Sequence, residues 1–325
     1  MKRPVFRGPS SSAAIATISA LVLLGPRVGV DETVQSVGVP ADVDGWLASA
    51  EARIAGIRPG DQKEIVWADS VGVRTTVALV YLHGFSADRH ELDPVPRMLA
   101  ESLGANLFYT RFTGHGRDGP AMGQASAQDW FQDMAEAVAV GRRLGERVIL
   151  LGTSTGGTLA TWAAGQPELK DDIAALLLVS PNFHPKDRTS RLLLWPWGGQ
   201  LARSLVGPER CFEPLNAAQE RHWTTCYPTD ALLPLMGLVE RVRTMDLDEV
   251  TAPALVLYSP DDQVVDPGAT VARYGRMNSL PRRLQPFLGS TDPSQHLLAG
   301  DIMSPETNEA LVTTLLAFLT QADIP

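Results

Sequence analysis

The chain has 325 residues, of which 44% are hydrophobic and 20% charged, ordinary for a globular protein and too apolar for a disordered one. Its 28 glycines and 24 prolines stay below the roughly 25–30% combined share that marks low complexity. A formal net charge of -9 provides no sequence-wide basic field for a phosphate backbone, so nucleic acid is not an expected partner.

At the N-terminus, Lys2, Arg3 and Arg7 precede an uncharged stretch from Ala13 to Leu24. This has the shape of a secretory signal or envelope anchor, and it is too short for a comfortable transmembrane span. Residues 1–30 are therefore expected to lie outside the fold, with the protein exported or associated with a membrane through this segment. No clean small-x-small cleavage site follows Leu24, and the alternative is a frayed extension of a cytoplasmic protein. After it, no apolar run reaches 18 residues, which excludes a multi-pass membrane protein.

From about residue 61 strand-like and helix-like segments alternate. Thr75–Leu82 is a continuous, β-branched-rich apolar run, as expected of a strand covered on both faces. Glu91–Leu103 reads as a helix and Asn106–Arg111 as the next strand. Ala127–Leu144 carries Trp130, Phe131, Met134 and Val138 at helical spacing. Arg147–Leu151 is a strand, Thr158–Ala164 a helix, and Ala174–Val179 another buried strand ended by Ser180-Pro181. Residues 182–250 lose the strand pattern and read as a helical cap. Strands resume at Pro253–Tyr258 and Arg283–Leu288, and Glu306–Leu319 makes an amphipathic terminal helix. Alternation of this kind predicts an α/β fold with a mostly parallel, doubly wound sheet over residues 31–325. Reactive groups then belong on loops beyond the carboxyl ends of the strands.

Cys211 and Cys226 are too few for a four-thiolate zinc site or a disulfide scaffold. They are either one disulfide of an exported protein or two buried thiols.

The strand at Arg147–Leu151 runs into Gly152-Thr153-Ser154-Thr155-Gly156 and then a helix. That is G-x-S-x-G in the strand–turn–helix context that presents a nucleophile. An alkoxide needs a base, and the base an orienting acid. Downstream stand Asp261, Asp262 and His296, giving the chain order Ser, Asp, His expected of this architecture. Of the adjacent acids only one can face the imidazole. Backbone donors for an oxyanion are expected at Thr155 and at Phe85 in His83-Gly84-Phe85-Ser86. His83 is read as a structural residue of that loop.

These residues resemble the α/β-hydrolase superfamily, and within it the monoacylglycerol-lipase and serine-aminopeptidase-like hydrolases. The matching pieces are Leu82–Phe85, Arg111-Phe112-Thr113-Gly114-His115-Gly116, Leu151–Gly157, Asp262 with Val265, and His296 with Leu297 and Asp301. The resemblance implies Asp262, over Asp261, as the acid that faces the imidazole. It also implies a cap inserted after the sixth strand, a loop-holding role for His115, and no metal or cofactor in the reaction. A departure is Thr155, where the family often carries Met or Gln. The cap shows no usable resemblance, and its Arg191–Trp197 segment is read as apolar side chains closing onto the core, the alternative being an apolar lid that meets lipid or an acyl chain. The expected activity is hydrolysis of a carboxylic ester, small-molecule or lipid-like, through an acyl-enzyme on Ser154. The rivals are acyl transfer, thioester hydrolysis or aminopeptidase action by the same three residues, and a non-catalytic binding protein on this fold.

Overall fold

A computed structural model of the chain describes residues 24–324. The basic and apolar leader-like stretch, residues 1–23, lies outside the described residues. In chain order the first half comprises α1 (Val43–Glu51), β1 (Glu64–Val66), β2 (Thr75–Leu82), α2 (Val95–Leu103), β3 (Asn106–Tyr109) and the short α3 (Gly119–Met122). Then come α4 (Ala127–Leu144), β4 (Gly145–Thr153), α5 (Thr155–Ala164) and β5 (Ile173–Val179). An insert follows, with α6 (Gly198–Val206), β6 (Glu209–Cys211), α7 (Ala217–His222), β7 (Cys226–Pro228) and α8 (Leu232–Thr244). The chain closes with β8 (Ala254–Tyr258), α9 (Pro267–Tyr274), β9 (Arg282–Pro286) and α10 (Asn308–Gln321).

Seven strands form one sheet in the order β1-β3-β2-β4-β5-β8-β9. Only the edge strand β1 runs antiparallel, against β3; every other neighbour is parallel. All seven residues of β5 are buried, which is why the parallel strands read as unbroken apolar runs instead of alternating ones. On one face Trp130, Phe131 and Met134 of α4 and Leu159 and Trp162 of α5 pack with Leu238 and Val242 of α8. On the other, Leu99 of α2 joins Leu311, Leu315 and Phe318 of α10. Helices on both faces make this a doubly wound sheet, as the alternation predicts. α4 starts at Ala127 because Ser126 and Asp129 form a reciprocal capping box.

Several boundaries differ from the sequence reading. The helix expected from Glu91 begins only at Val95: Pro94 precedes it, Pro96 sits in its first turn, and residues 89–91 form a separate 3-10 turn. A residue before proline is pushed out of the α region, so the chain cannot run on as one helix. α1 and β1 carry too little periodicity to be seen in advance, since β1 is three half-buried residues. The cap follows β5, the fifth strand of the described sheet in chain order and not the sixth. It is not purely helical either. β6 and β7 pair as a small antiparallel ribbon, and Cys211 and Cys226, directly opposite in it, are disulfide-bonded.

Residues 24–30, expected to lie outside the fold, instead lie against it. Trp197 N–H donates to Pro26 C=O at 2.9 Å, and Val30 packs on the core. Just beyond, Glu32 pairs with Arg241 of α8 at 2.7 Å and accepts from Trp162 Nε1 at 3.1 Å. The Arg191–Trp197 segment also departs from expectation, with Leu192 45% and Trp195 61% exposed. Residues 188–194 form a 3-10 helix, whose three residues per turn bring only part of the segment inward. Among the described residues no helix is long and apolar enough to cross a membrane.

Candidate active site

Ser154 stands between the last residue of β4 and the first of α5, with φ 51° and ψ -113°. A non-glycine residue held there costs on the order of 1–3 kcal/mol and persists only where the surroundings enforce it. They do so here through close packing of the two flanking glycines. A Cβ on Gly156 would lie 2.0 Å from the Leu82 carbonyl oxygen, and one on Gly152 would lie 2.7 Å from the Gly156 carbonyl. The turn is also tied to the neighbouring strand end: Ser154 N–H donates to Val179 C=O at 2.9 Å, and Asn182 N–H donates to Ser154 C=O at 3.0 Å. Behind the serine, the N-terminus of α5 directs free N–H groups and a partial positive charge at the turn.

The turn after β8 positions Asp262. Its Oδ1 accepts from Val264 N–H at 2.7 Å and Val265 N–H at 2.9 Å. Its Oδ2 faces His296 Nδ1 at 2.8 Å. Asp261, beside it, is exposed. The His296 loop is built on Asp292, whose Oδ2 accepts from His296 N–H, Leu297 N–H and the Ser294 hydroxyl. Ser180, directly after β5, donates its hydroxyl to His296 C=O at 2.7 Å. The imidazole loop and the serine turn are thus both fastened to the carboxyl end of β5. Burial alone would pull the His296 pKa down. The charge of Asp262 and the hydrogen bond to it, with Asp292 and Glu91 adding, outweigh burial and hold it above the ordinary value. With Nδ1 turned to the carboxylate, Nε2 is the nitrogen left for proton transfer.

The third piece is the loop after β2. His83 Nε2 accepts from Phe112 N–H at 3.1 Å and its Nδ1 meets Gly84 C=O at 2.9 Å. Burial pushes its pKa down to about 4, so it is neutral and structural, as the sequence suggests. His115 is likewise buried, its pKa driven well below the usual value by desolvation, and its C=O accepts from Arg111 at 3.2 Å. The Phe85 ring packs edge-on to Trp130 and Tyr227. The amides of Phe85 and Thr155 have no acceptor among the described residues. Left-handed φ at Ser86, Ser154, Ser180 and Gln295 gathers backbone strain around these loops, as functional sites often do.

Two residues of the site carry no sequence signal that stands out. Asp292 is one; lying four positions before His296 is its only hint. The other is Glu91, 2% exposed, which accepts from the Tyr81 hydroxyl and from Gly84 N–H. Burial lifts its carboxyl to about 8. Glu91→Ala would orphan the buried Gly84 N–H beside the Phe85 loop and leave the Tyr81 hydroxyl only its 3.2 Å contact with Thr153 Oγ1. A buried donor left without an acceptor costs about 1–3 kcal/mol. Urea denaturation should therefore show Glu91→Ala destabilised by about 2 kcal/mol or more and Glu91→Gln, which keeps an acceptor, much closer to the parent. Equal stability of the two would remove Glu91 as the support of that loop.

A mostly parallel doubly wound sheet carrying a strained serine between strand and helix, with a capping insert, defines an α/β hydrolase. Residues 74–290 match the Hydrolase_4 family, described as serine aminopeptidase, S33, and the chain belongs to that family. It is 26% identical over 192 residues, 59% of this chain and 73% of the other, to the thermostable monoacylglycerol lipase of Bacillus sp. (strain H-257). Its fold matches a structure reported for the metagenome-derived lipolytic enzymes LipS and LipT, with a TM-score of 0.64 and 22% identity, covering 82% of this chain and 99% of that one. It also matches a soluble variant of the monoglyceride lipase of Saccharomyces cerevisiae, with a TM-score of 0.62 and 14% identity, covering 80% and 91%. The chain is therefore a lipase- or esterase-like α/β hydrolase by family and distant homology.

Proposed function

We propose that the protein hydrolyses carboxylic esters with short to medium or lipid-like acyl chains, through an acyl-enzyme on Ser154. The reading rests chiefly on the Asp262–His296 pair at 2.8 Å, fastened to the same strand end as the serine turn. In this reading Ser154 Oγ attacks the acyl carbon while His296 Nε2 takes its proton. Asp262 holds the imidazole in the matching tautomer, and the amides of Phe85 and Thr155 receive the oxyanion. The proton passes to the leaving alkoxide as the ester C–O bond breaks. Water, deprotonated by the same imidazole, then frees the acid.

The reaction needs neutral His296, and Asp262 raises that group's pKa. The acid limb of kcat/KM should therefore have its midpoint above the ordinary imidazole value of about 6.5, with activity rising as pH increases through it. A profile flat from pH 5 to 8 contradicts the assignment. The deciding substrate experiment compares p-nitrophenyl esters of graded chain length with aminoacyl-nitroanilides. Ester turnover without amide turnover supports the proposal; the reverse supports an aminopeptidase.

The leader-like N-terminus and the Cys211–Cys226 bond support a further reading, export to an oxidising compartment. Cell fractionation that finds the protein reduced in the cytoplasm would reject it.

A further inference from the structure

Outside the proposed active site, four metal-ligating side chains from distant parts of the chain converge where the cap meets the body. Asp61 precedes β1, Asp88 and His90 follow the Phe85 loop, and His222 ends α7 of the cap. His90 Nδ1 lies 2.8 Å from Asp88 Oδ1 and 3.8 Å from Asp61 Oδ1. His222 Nδ1 lies 3.0 Å from Asp88 Oδ2 and 3.5 Å from Asp61 Oδ1. One donor atom from each of the four falls within 4.8 Å of all the others. Both carboxylates are buried, with side chains 1% exposed, and the two imidazoles stack with centroids 3.9 Å apart.

Two buried carboxylates this close repel each other unless positive charge lies among them. Arg58 answers part of that need: its Nε donates to Asp61 Oδ2 at 2.7 Å. That leaves Asp61 Oδ1 turned to the imidazoles. Donors about 2.0–2.1 Å from a tetrahedral cation are separated by about 3.3 Å. The His–Asp distances, measured to one Asp88 oxygen from His90 and to the other from His222, run from 2.8 to 3.8 Å around that value. Two imidazole nitrogens with two carboxylate oxygens is a donor set for zinc-like ions, not for magnesium or calcium, which take all-oxygen shells.

We infer that Asp61, Asp88, His90 and His222 bind one divalent transition cation of the zinc class, which pins the cap to the body. The surroundings brace such a site. Arg58 also donates to the carbonyls of Trp223 and His222, and His90 N–H donates to Asp88 Oδ1 at 2.8 Å. The site lies outside the chemistry of ester cleavage but not far from it in the chain. Two residues after His222, Thr224 N–H donates to Ser86 C=O at 2.7 Å, immediately beside Phe85. A cation held by His222 would thus steady the loop that carries one of the proposed oxyanion donors.

The test uses the full chain, stripped with a chelator and titrated with Zn2+ or Co2+. The expected result is one equivalent bound at micromolar free metal, a rise in Tm on adding zinc that chelator reverses, and the intense visible bands of four-coordinate cobalt. His90→Ala and His222→Ala should each weaken zinc binding by about tenfold or more, while His296→Ala should leave it unchanged. Substoichiometric uptake by the unmutated chain, or a six-coordinate cobalt spectrum, overturns the inference even if the variants fail to fold. Full affinity in the His90→Ala/His222→Ala double variant, or loss on His296→Ala alone, overturns it as well, because the metal would then sit elsewhere.

Discussion

Ser154→Ala is expected to lower kcat for p-nitrophenyl ester hydrolysis by about 10⁴–10⁶-fold while leaving the fold intact. The size follows from the role proposed for the hydroxyl: it forms the covalent bond, so no neighbouring group can stand in for it. What remains would come from the oxyanion donors and substrate binding alone. The fold should survive because alanine keeps the Cβ that the chain already tolerates at φ 51° and the backbone ties to Val179 and Asn182 do not involve the side chain. Steady-state kinetics beside a urea melt separate the two effects. A fluorophosphonate probe should label the parent and not the variant. Turnover within a few-fold of the parent in a folded variant would move the nucleophile away from Ser154.

Asp262→Asn should cost about 10⁴-fold in kcat, and Asp261→Asn should cost little. Asp262 Oδ1 is claimed by the amides of Val264 and Val265. An asparagine would keep its carbonyl oxygen at those two donors, which places its NH2 group against His296 Nδ1. Nδ1 must then accept, so the ring proton moves to Nε2, the nitrogen proposed to take the Ser154 proton, which can then no longer act as a base. Asp261 is exposed and its loss leaves this arrangement untouched. The same substitution at adjacent acids therefore tests the geometry rather than the net charge. Comparable losses at both positions, or none at either, would break the assigned pairing.

Much of this protein was legible in local pattern. The continuous apolar runs at β2, β4 and β5 announced buried parallel strands, because a strand covered on both faces has no polar side to show. The serine turn was legible because the close approach of backbones around Ser154 demands glycine at 152 and 156, a requirement written within five residues. His296 and the adjacent pair Asp261 and Asp262 could be named as candidates since chain order and strand ends limit where a base and its acid can fall. The choice of Asp262 within the pair came from the family resemblance. Boundaries were less legible where proline intervened, as at Val95, and where an element was as short as β1.

By itself, then, the sequence determined the layering of the sheet and the sharp turn and supplied a short list of candidate reactive side chains; the layering and the turn depend on periodicity or on steric demands between near neighbours. Only the tertiary structure decided that Glu91 lies beneath Gly84, that Asp292 carries the His296 loop, and that Trp195 faces outward. It alone brought Asp61, Asp88, His90 and His222 together. Contacts between residues as far apart as 61 and 222 leave no period, spacing or turn signal in the chain. They arise from how the cap settles on the sheet, which is a matter of packing and not of local preference.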